Sequence, residues 1–305
     1  MERYENWFVC LDLTNMDDIL IGYTNFLTTE FKPKKITFIH VIKSQNVAKE
    51  MIDLFPEIKN REDVEDAIRK DLKEKIDNFF SNKKVETELL IKNGRPTDVI
   101  IETVESLESD LTIMGKKSGY VGKGVIPRGI MKYLPSSVLF VPETSRYQLK
   151  KAIVPVDFSD QSAKAISVAK ELADDKGGAV IAQHIYNYPA RFFPYIVPEE
   201  EDEQKMNTYL NGKKEDFIQK HSISDGVEFV FSLNIEGSKM DQLYDQMVHH
   251  QADMIVAASK SDKKITSILR EDFTDQMAYY RFGVPLLIIK DKKKHQKFLK
   301  SLFGQ

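Results

Sequence analysis

The sequence contains a single cysteine, Cys10, among its 305 residues. One cysteine cannot form an intrachain disulfide, and it excludes a zinc site built from clustered cysteines. The residues around it, Trp7-Phe8-Val9 and Leu11, are apolar. Because free cysteines are among the most buried residues of folded proteins, we expect Cys10 to be a buried structural thiol rather than a reactive one.

An excess of positive charge and long apolar runs are also lacking. The formal net charge is −3, so no overall positive field would attract nucleic acid, and we expect no nucleic-acid partner. No apolar run approaches the ~18 residues that indicate a transmembrane segment. The first residues lack the basic-then-apolar pattern of a secretory signal. These absences predict a cytoplasmic protein.

Short apolar strands alternate with amphipathic helical stretches along the whole chain. Such alternation requires crossover connections and therefore predicts parallel sheets with helices on both faces. The predicted strands of the first half are 7–11, 35–41, 86–91, 111–114 and 138–141, and those of the second half are 152–156, 179–185, 228–233, 254–257 and 286–289. Each half therefore carries five strands in the same order.

The landmarks of the two halves keep a nearly constant spacing. Asp157 follows its first strand 145 positions after Asp12, and His184 ends its second strand 144 positions after His40. A constant offset of this length indicates duplication of a whole domain. We expect a first domain over residues 1–145, a second over 146–290, and a basic amphipathic tail over 291–305 that packs on its own domain or meets a membrane or a partner.

Three segments resemble the universal stress protein family. Ile153-Val154-Pro155-Val156-Asp157 resembles its opening strand, Asp110-Leu111-Thr112-Ile113-Met114-Gly115 its fourth strand, and Ser137-Val138-Leu139-Phe140-Val141 its last strand. The resemblance covers both halves. It implies two tandem doubly wound α/β domains, each with a five-stranded parallel sheet flanked by helices, of the kind found in adenine-nucleotide hydrolases. It also implies a stress-response protein.

The resemblance further implies a partial ATP site in the first half. In family members that bind ATP, the aspartate after the first strand and the residue after the second-strand histidine contact the adenosine, which here are Asp12 and Val41. A glycine-rich loop holds the phosphates through its backbone N–H groups. Its positions match Gly115, then Ser118 or Gly119, and then the pair Gly124-Val125, where the family has glycine-serine.

The second half departs further from that loop. Ala258, Ser261, Glu271 and Asp272 occupy its glycine and serine positions. Two carboxylates would face the phosphates, and one like-charge pair at ~4 Å costs about 4 kcal/mol at an effective dielectric near 20. We therefore expect any nucleotide in the first half, near Asp12 and the loop that begins at Gly115, and no metal site in either half.

Asp12, Asp157, His40 and His184 do not compose a hydrolytic set by their sequence positions. The favoured interpretation is a non-enzymatic regulatory protein. Two alternatives stay open. One is an ATP-binding switch or slow ATPase that uses the first-half loop, and the other is a scaffold for an unknown protein partner that uses the aromatic and acidic segment 186–203.

The resemblance also bears on assembly, because many family members dimerise through their last strands. The last strands here, 138–141 and 286–289, are short and apolar, and sheet edges of this kind favour pairing. The covalent link between the halves raises the effective concentration of one edge for the other. We therefore expect an antiparallel pairing within one chain, a pseudo-dimer, with a homodimer of such chains through other surfaces.

Overall fold

The structure is a computed structural model that describes residues 4–43, 54, 60–117, 130–174, 177–187, 200–234, 238–259 and 273–290. The predicted tail, residues 291–305, lies outside the described residues. The chain divides into two compact units: the first extends to Tyr147 and also includes Lys290, and the second is Gln148–Ile289. The predicted boundary between the halves lay two residues earlier in the sequence.

The first unit contains a five-stranded sheet in the order β3-β2-β1-β4-β5. Every neighbouring pair runs parallel. Its strands are β1 (Asn6–Leu11), β2 (Lys35–Ile42), β3 (Glu86–Asn93), β4 (Leu111–Lys116) and β5 (Ser137–Pro142). Its described helices are α1 (Met16–Phe31), α2 (Arg61–Phe79), α3 (Pro96–Ser106) and α4 (Ile130–Tyr133).

The second unit repeats this topology, with the order β8-β7-β6-β9-β10 and parallel pairing throughout. Its strands are β6 (Lys151–Pro155), β7 (Ala179–Tyr186), β8 (Val227–Leu233), β9 (Met254–Ala258) and β10 (Leu286–Ile289). Its described helices are α5 (Asp160–Asp174), α6 (Glu200–His221), α7 (Lys239–His249) and α8 (Phe273–Tyr279). The prediction of one fold used twice is confirmed.

Burial on both faces explains why the central strands read as continuous apolar runs. In β1, Trp7, Phe8 and Val9 are all buried, and α1 packs on β1 and β4. In the second unit α5 packs on β6, β7 and β9 in the same way.

Local sequence sets several helix ends. Asn60 and Asp63 form a capping box at the start of α2, and Pro96 occupies the first turn of α3, where a missing N–H costs nothing. Ser238 caps α7 by accepting a hydrogen bond from the backbone N–H of Asp241 at 3.1 Å.

One sequence expectation about the sheet edge is wrong. The loop after the fourth strand was expected to begin at Gly115 and at Ala258, yet both residues lie inside their strands. Gly115 pairs with Val141 across β4 and β5, and Ala258 pairs with Ile289 across β9 and β10. The strands run longer than the apolar runs because backbone pairing with the neighbouring strand continues beyond them.

Candidate functional site

The carboxyl ends of β1, β2 and β4 bring three of the predicted site residues to one edge of the first sheet. Asp12 directly follows β1, Val41 is the penultimate residue of β2, and Gly115 is the penultimate residue of β4. Since β1 lies between β2 and β4, this is the point where the strand order reverses and where open α/β sheets bind ligands. The other predicted residues, Ser118, Gly119, Gly124 and Val125, lie outside the described residues.

The carboxylate of Asp12 is engaged from two sides. The Nζ atom of Lys117 lies 2.8 Å from its Oδ2 atom, and the hydroxyl of Thr14 donates to its Oδ1 atom at 2.5 Å. Burial opposes ionisation of Asp12, but the hydrogen bonds from Lys117 and Thr14 outweigh it and lower its pKa. Asp12 is therefore a carboxylate at neutral pH, and a ligand hydroxyl must share it with Lys117.

Asp17 supports the loop that carries Asp12. Its two carboxylate oxygens accept hydrogen bonds from the backbone N–H groups of Asp12, at 2.9 Å, and of Leu13, at 2.8 Å. Leu13 has a φ of 63°, an unfavourable conformation for a residue with a side chain. Burial raises the pKa of Asp17 to about 6, partly opposed by these bonds and by Lys75. The sequence analysis did not identify this residue.

Gly115 has a packing role that is independent of any phosphate. A Cβ atom at this position would lie 2.6 Å from the Cγ atom of Met16, the first residue of α1. Met16 is buried, so little space is open for it to move. The close approach of α1 to β4 therefore requires glycine here, whether or not the loop beyond it binds a ligand.

The two strand-end histidines make the same contact in each unit. The Nδ1 atom of His40 lies 3.0 Å from the carbonyl oxygen of Leu11, and that of His184 lies 2.8 Å from the carbonyl oxygen of Val156. A carbonyl only accepts, so Nδ1 carries the proton and Nε2 is an acceptor in the neutral ring. Burial lowers the pKa of both histidines. Both rings are thereby oriented by the backbone rather than by a carboxylate.

In the second unit, a serine hydroxyl rather than a carboxylate supports the loop after the first strand. The backbone N–H of Asp157 donates to the hydroxyl of Ser162 at 3.0 Å, and this hydroxyl donates to the Oδ1 atom of Asp157 at 2.7 Å. Ser162 thus stands where Asp17 stands in the first unit, five positions after the aspartate in both cases. Phe158 has a φ of 60°, like Leu13. This shared spacing was the signal that could have identified Asp17.

A second duplicated contact was also missed. The Oδ2 atom of Asp110 accepts from the backbone N–H groups of Glu5 and Asn6 at 3.1 and 2.9 Å. The Oδ2 atom of Asp253 accepts from those of Lys150 and Lys151 at 2.9 and 3.0 Å. In each unit an aspartate before the fourth strand therefore fixes the start of the first strand, at the edge opposite the candidate site.

A cleft of about 230 Å³ opens at the carboxyl edge of the second sheet. It lies beyond the ends of β6, β7 and β9 and beside the first residues of α5, α7 and α8. The polar side chains that line it include Asp157, Ser159, Gln183, His184, Lys239 and Thr274. Its place in the second unit corresponds to that of Asp12, Val41 and Gly115 in the first.

Other classes of site are absent from the described part of the chain. Within residues that the structure describes, no group of three or more histidine, cysteine or acidic side chains is arranged to hold a metal ion. None of the described helices has the length and apolar character to cross a membrane. Desolvation raises the pKa of Cys10 to about 12, so its thiol stays protonated and unreactive at neutral pH.

Comparison with known proteins identifies the second unit by sequence and the whole chain by fold. Residues 148–290 match the model of the universal stress protein family. No curated protein matches the chain. The crystal structure of a universal stress protein from Archaeoglobus fulgidus matches with a TM-score of 0.59 at 15% identity, covering 94% of this chain and 97% of that one.

Two further solved structures resemble parts or all of the chain. A functionally unknown protein from Pseudomonas aeruginosa matches with a TM-score of 0.66 at 10% identity and covers 99% of this chain and 98% of that one. A universal stress protein in complex with cAMP covers 46% of this chain and 96% of that one at 17% identity, with a TM-score of 0.33. The two whole-chain matches, at 15% and 10% identity, establish the fold alone.

Proposed function

Because the chain belongs to the universal stress protein family through residues 148–290, we propose that it is a non-catalytic stress-response protein that acts by binding. One observation carries this proposal. At the ligand edge of the two sheets, Asp17, His40 and His184 hold the backbone in place. Asp17 binds two backbone N–H groups, and His40 and His184 each donate to a backbone carbonyl. Among the described residues, neither histidine is hydrogen-bonded to a carboxylate, so they do not form the oriented histidine–carboxylate pair of a catalytic triad at this edge.

We propose that the nucleotide site of this protein lies in the first domain. The site would comprise Asp12, Val41 and Gly115 with the loop residues Ser118, Gly119, Gly124 and Val125. Its support is the position of Asp12 and Gly115 at the point where the strand order reverses. Lys117 adds a cation at 2.8 Å from Asp12, and it would serve a phosphate once the ligand has taken over that carboxylate.

The proposed assembly and compartment follow from the sequence. The last strands of the two domains, β5 and β10, would pair within one chain as a pseudo-dimer, and whole chains would associate as homodimers through other surfaces. The protein would act in the cytoplasm through a protein partner. The alternative scaffold segment, residues 186–203, falls mostly outside the described residues.

The proposal is tested by native mass spectrometry of the freshly purified chain, followed by calorimetric titration with Mg-ATP and a phosphate-release assay. We expect at most one nucleotide per chain and no turnover beyond that of solvent. Steady phosphate release that follows protein concentration would favour the rival ATPase instead. Two equivalent nucleotide sites would contradict the assignment to the first domain.

A charge reversal locates the nucleotide. Any side chain at Gly115 meets Met16, so a substitution there confounds binding with folding, and Lys117→Glu is the better variant. Losing a charge-assisted contact and adding repulsion should weaken Mg-ATP by about tenfold or more. Lys83→Glu, at an exposed lysine of the same unit, makes the same change in net charge and should leave affinity unchanged. Equal effects of the two variants would contradict the site.

A further inference from the structure

We propose that two copies of this chain pair edge to edge and antiparallel through β8, with the two-fold axis of the dimer at Val230. The inference rests on the homodimer of whole chains proposed above and names the surface that forms it. It does not depend on the nucleotide site. Three features of β8 carry it: backbone groups that face outward, an edge less protected than its counterpart in the first unit, and a self-complementary sequence.

The outward-facing backbone groups follow from the position of β8 at the edge of the second sheet. Within the described residues, β7 is the one strand that pairs with it. The backbone N–H of Asn234, the residue after β8, donates to the carbonyl oxygen of Tyr186 at 2.8 Å. Because the direction of these groups alternates from residue to residue, Ser232 and Val230 also face β7. The residues whose N–H and C=O groups face away from the sheet are Val227, Phe229, Phe231 and Leu233.

The equivalent edge strand of the first unit, β3, is protected in two ways. The outward carbonyl oxygen of Leu89 accepts a hydrogen bond from the Nη1 atom of Arg69 at 3.3 Å. The strand also carries charged side chains, of which Glu86 and Glu88 form ion pairs with Lys35 at 3.1 and 2.9 Å. A bonded carbonyl and charges along an edge both oppose pairing with another chain.

The edge of β8 is protected less than that of β3. Phe229 takes the place of Leu89, since each pairs with the second-strand residue two positions before the histidine. In the part of the chain that the structure describes, no side chain donates to the carbonyl of Phe229. Glu228 is the one charged residue of this seven-residue strand, Val-Glu-Phe-Val-Phe-Ser-Leu. An apolar edge with outward backbone groups is a template for a further strand.

The residues of β8 are suited to pairing with a second β8. With the two-fold axis at Val230, Phe229 lies opposite Phe231 of the second copy, and Val227 lies opposite Leu233. These are the residues whose backbone groups face outward, so each of these pairs can exchange both of its hydrogen bonds across the contact. Aromatic pairs on neighbouring strands add to the stability of a sheet. All seven residues of the strand have a partner in this register.

Charge favours this register and this partner. Glu228 lies opposite Ser232 of the second copy, so no like charges meet. An axis moved to Glu228 would place two carboxylates opposite each other, which destabilises a strand pair, and would leave the last residues of β8 unpaired. A two-fold contact uses the same surface on both copies, so this edge is consumed when two chains have met.

The test is the mass of the full chain in solution, measured by sedimentation velocity and by native mass spectrometry at micromolar concentration. We expect a dimer. Val230→Lys places two ammonium groups opposite each other at the axis and should raise the Kd of the dimer by about tenfold or more. Leu90→Lys makes the same change in charge at the matching position of β3 and should leave the Kd unchanged.

A mixture of two variants shows that the effect arises at the axis. Val230→Glu alone should also give monomers, because two carboxylates then meet. An equimolar mixture of the Val230→Lys and Val230→Glu chains should give heterodimers, since opposite charges lie opposite each other. Because this rescue requires that both variants are folded, it separates loss of the contact from loss of the fold.

A crosslink tests the register. The backbone groups of Val230 face β7, so Val230 and its symmetry mate form a non-hydrogen-bonded pair with Cα atoms about 4.5 Å apart, within the range of a disulfide. Val230→Cys should therefore give a covalent dimer on oxidation, and Leu90→Cys should not. Burial raises the pKa of the native thiol, Cys10, to about 12, so it does not compete.

Two results would overturn the inference and leave the proposed homodimer in place: Val230→Lys dimerises as tightly as the wild type, or Val230→Cys forms no interchain disulfide. A wild-type chain that is monomeric at every concentration measured would contradict both. A monomer that carries a foreign polypeptide, lost in Val230→Lys, would assign the edge to a partner's strand and overturn the second copy as its occupant.

Discussion

Replacing Asp17 by serine should change the pH dependence of the first domain's stability. Asp17 is 1% exposed, and its carboxylate accepts from two backbone N–H groups at 2.9 and 2.8 Å. Serine is the residue that the second domain uses at the equivalent position, Ser162, to hold the same loop. The substitution therefore removes the buried charge and keeps a local hydrogen-bonding group of a type that the fold already accepts.

The size of the effect follows from the pKa of Asp17. Burial raises it from its ordinary value of 3.8 to about 6, so the folded state keeps a proton that the unfolded state has lost. The contribution of Asp17 to the free energy of unfolding is therefore highest at low pH and falls as the pH rises from about 4 through 6. Between pH 4 and pH 7, Asp17 should therefore reduce the free energy of unfolding by about 2 kcal/mol.

The assay is urea unfolding of the wild type and Asp17→Ser at pH 4 and pH 7, followed by tryptophan fluorescence. Trp7 is the only tryptophan of the chain and is 1% exposed in β1, so its emission reports on the first domain alone. Subtracting one protein from the other removes the contribution of the titrating groups that do not interact with Asp17, which leaves Asp12 and Lys75 as its coupled neighbours.

We expect Asp17→Ser to gain about 2 kcal/mol relative to the wild type between pH 4 and pH 7. Its stability at pH 4 alone can change in either direction, because one hydrogen bond to the loop is lost. A difference between the two proteins that stays constant across this pH range would refute the reasoning, since Asp17 would then titrate alike in the folded and unfolded states. Ser162→Asp in the second domain is the reciprocal variant.

Gly115→Ala should destabilise the first domain by about 1–3 kcal/mol, because the new Cβ atom would lie 2.6 Å from Met16. Urea unfolding followed by tryptophan fluorescence measures the loss. If adding Met16→Ala restored none of the lost stability, the packing explanation would be wrong. Each of the variants Asp110→Ala and Asp253→Ala should destabilise its own domain by about 1–3 kcal/mol, since it removes the acceptor of two backbone N–H groups. Hydrogen exchange shows which domain is destabilised. If only one of the two variants had an effect, the two contacts would not be equivalent. Leu139→Lys should lower the melting temperature independently of protein concentration if the last strands pair within one chain. A destabilisation that varied with dilution would place that pairing between chains.

The sequence predicted the sheets well because each strand is a local pattern. The apolar runs at Trp7–Leu11 and Leu286–Ile289 lie within one residue of the observed strands, since strands buried on both faces leave no polar position in the run. The ends of β4 and β9 were less accurate. The expected loops begin at Gly115 and Ala258, while pairing with the next strand extends both strands through these residues.

The candidate site was only partly predictable. The repeat pattern predicted that Asp12 and Gly115 lie at the same edge of the sheet, because the carboxyl ends of parallel strands meet there. The ion pair between Asp12 and Lys117 joins residues 105 positions apart, and no local pattern encodes it. Ser118, Gly119, Gly124 and Val125 remain predictions.

The amino-acid sequence by itself determined that this chain carries one α/β fold twice, because the apolar periodicity and the nearly constant offset between landmarks are properties of the order of residues. Only the tertiary structure decided what individual polar residues do. Asp17 and Ser162 differ in chemistry yet support equivalent loops in the two units. Gln183 stands where the first unit has Ile39, and its buried Oε1 atom has no hydrogen-bond partner among the described residues. Such roles depend on which backbone groups lie within hydrogen-bond distance of a side chain. These distances are fixed only when the strands and helices pack together.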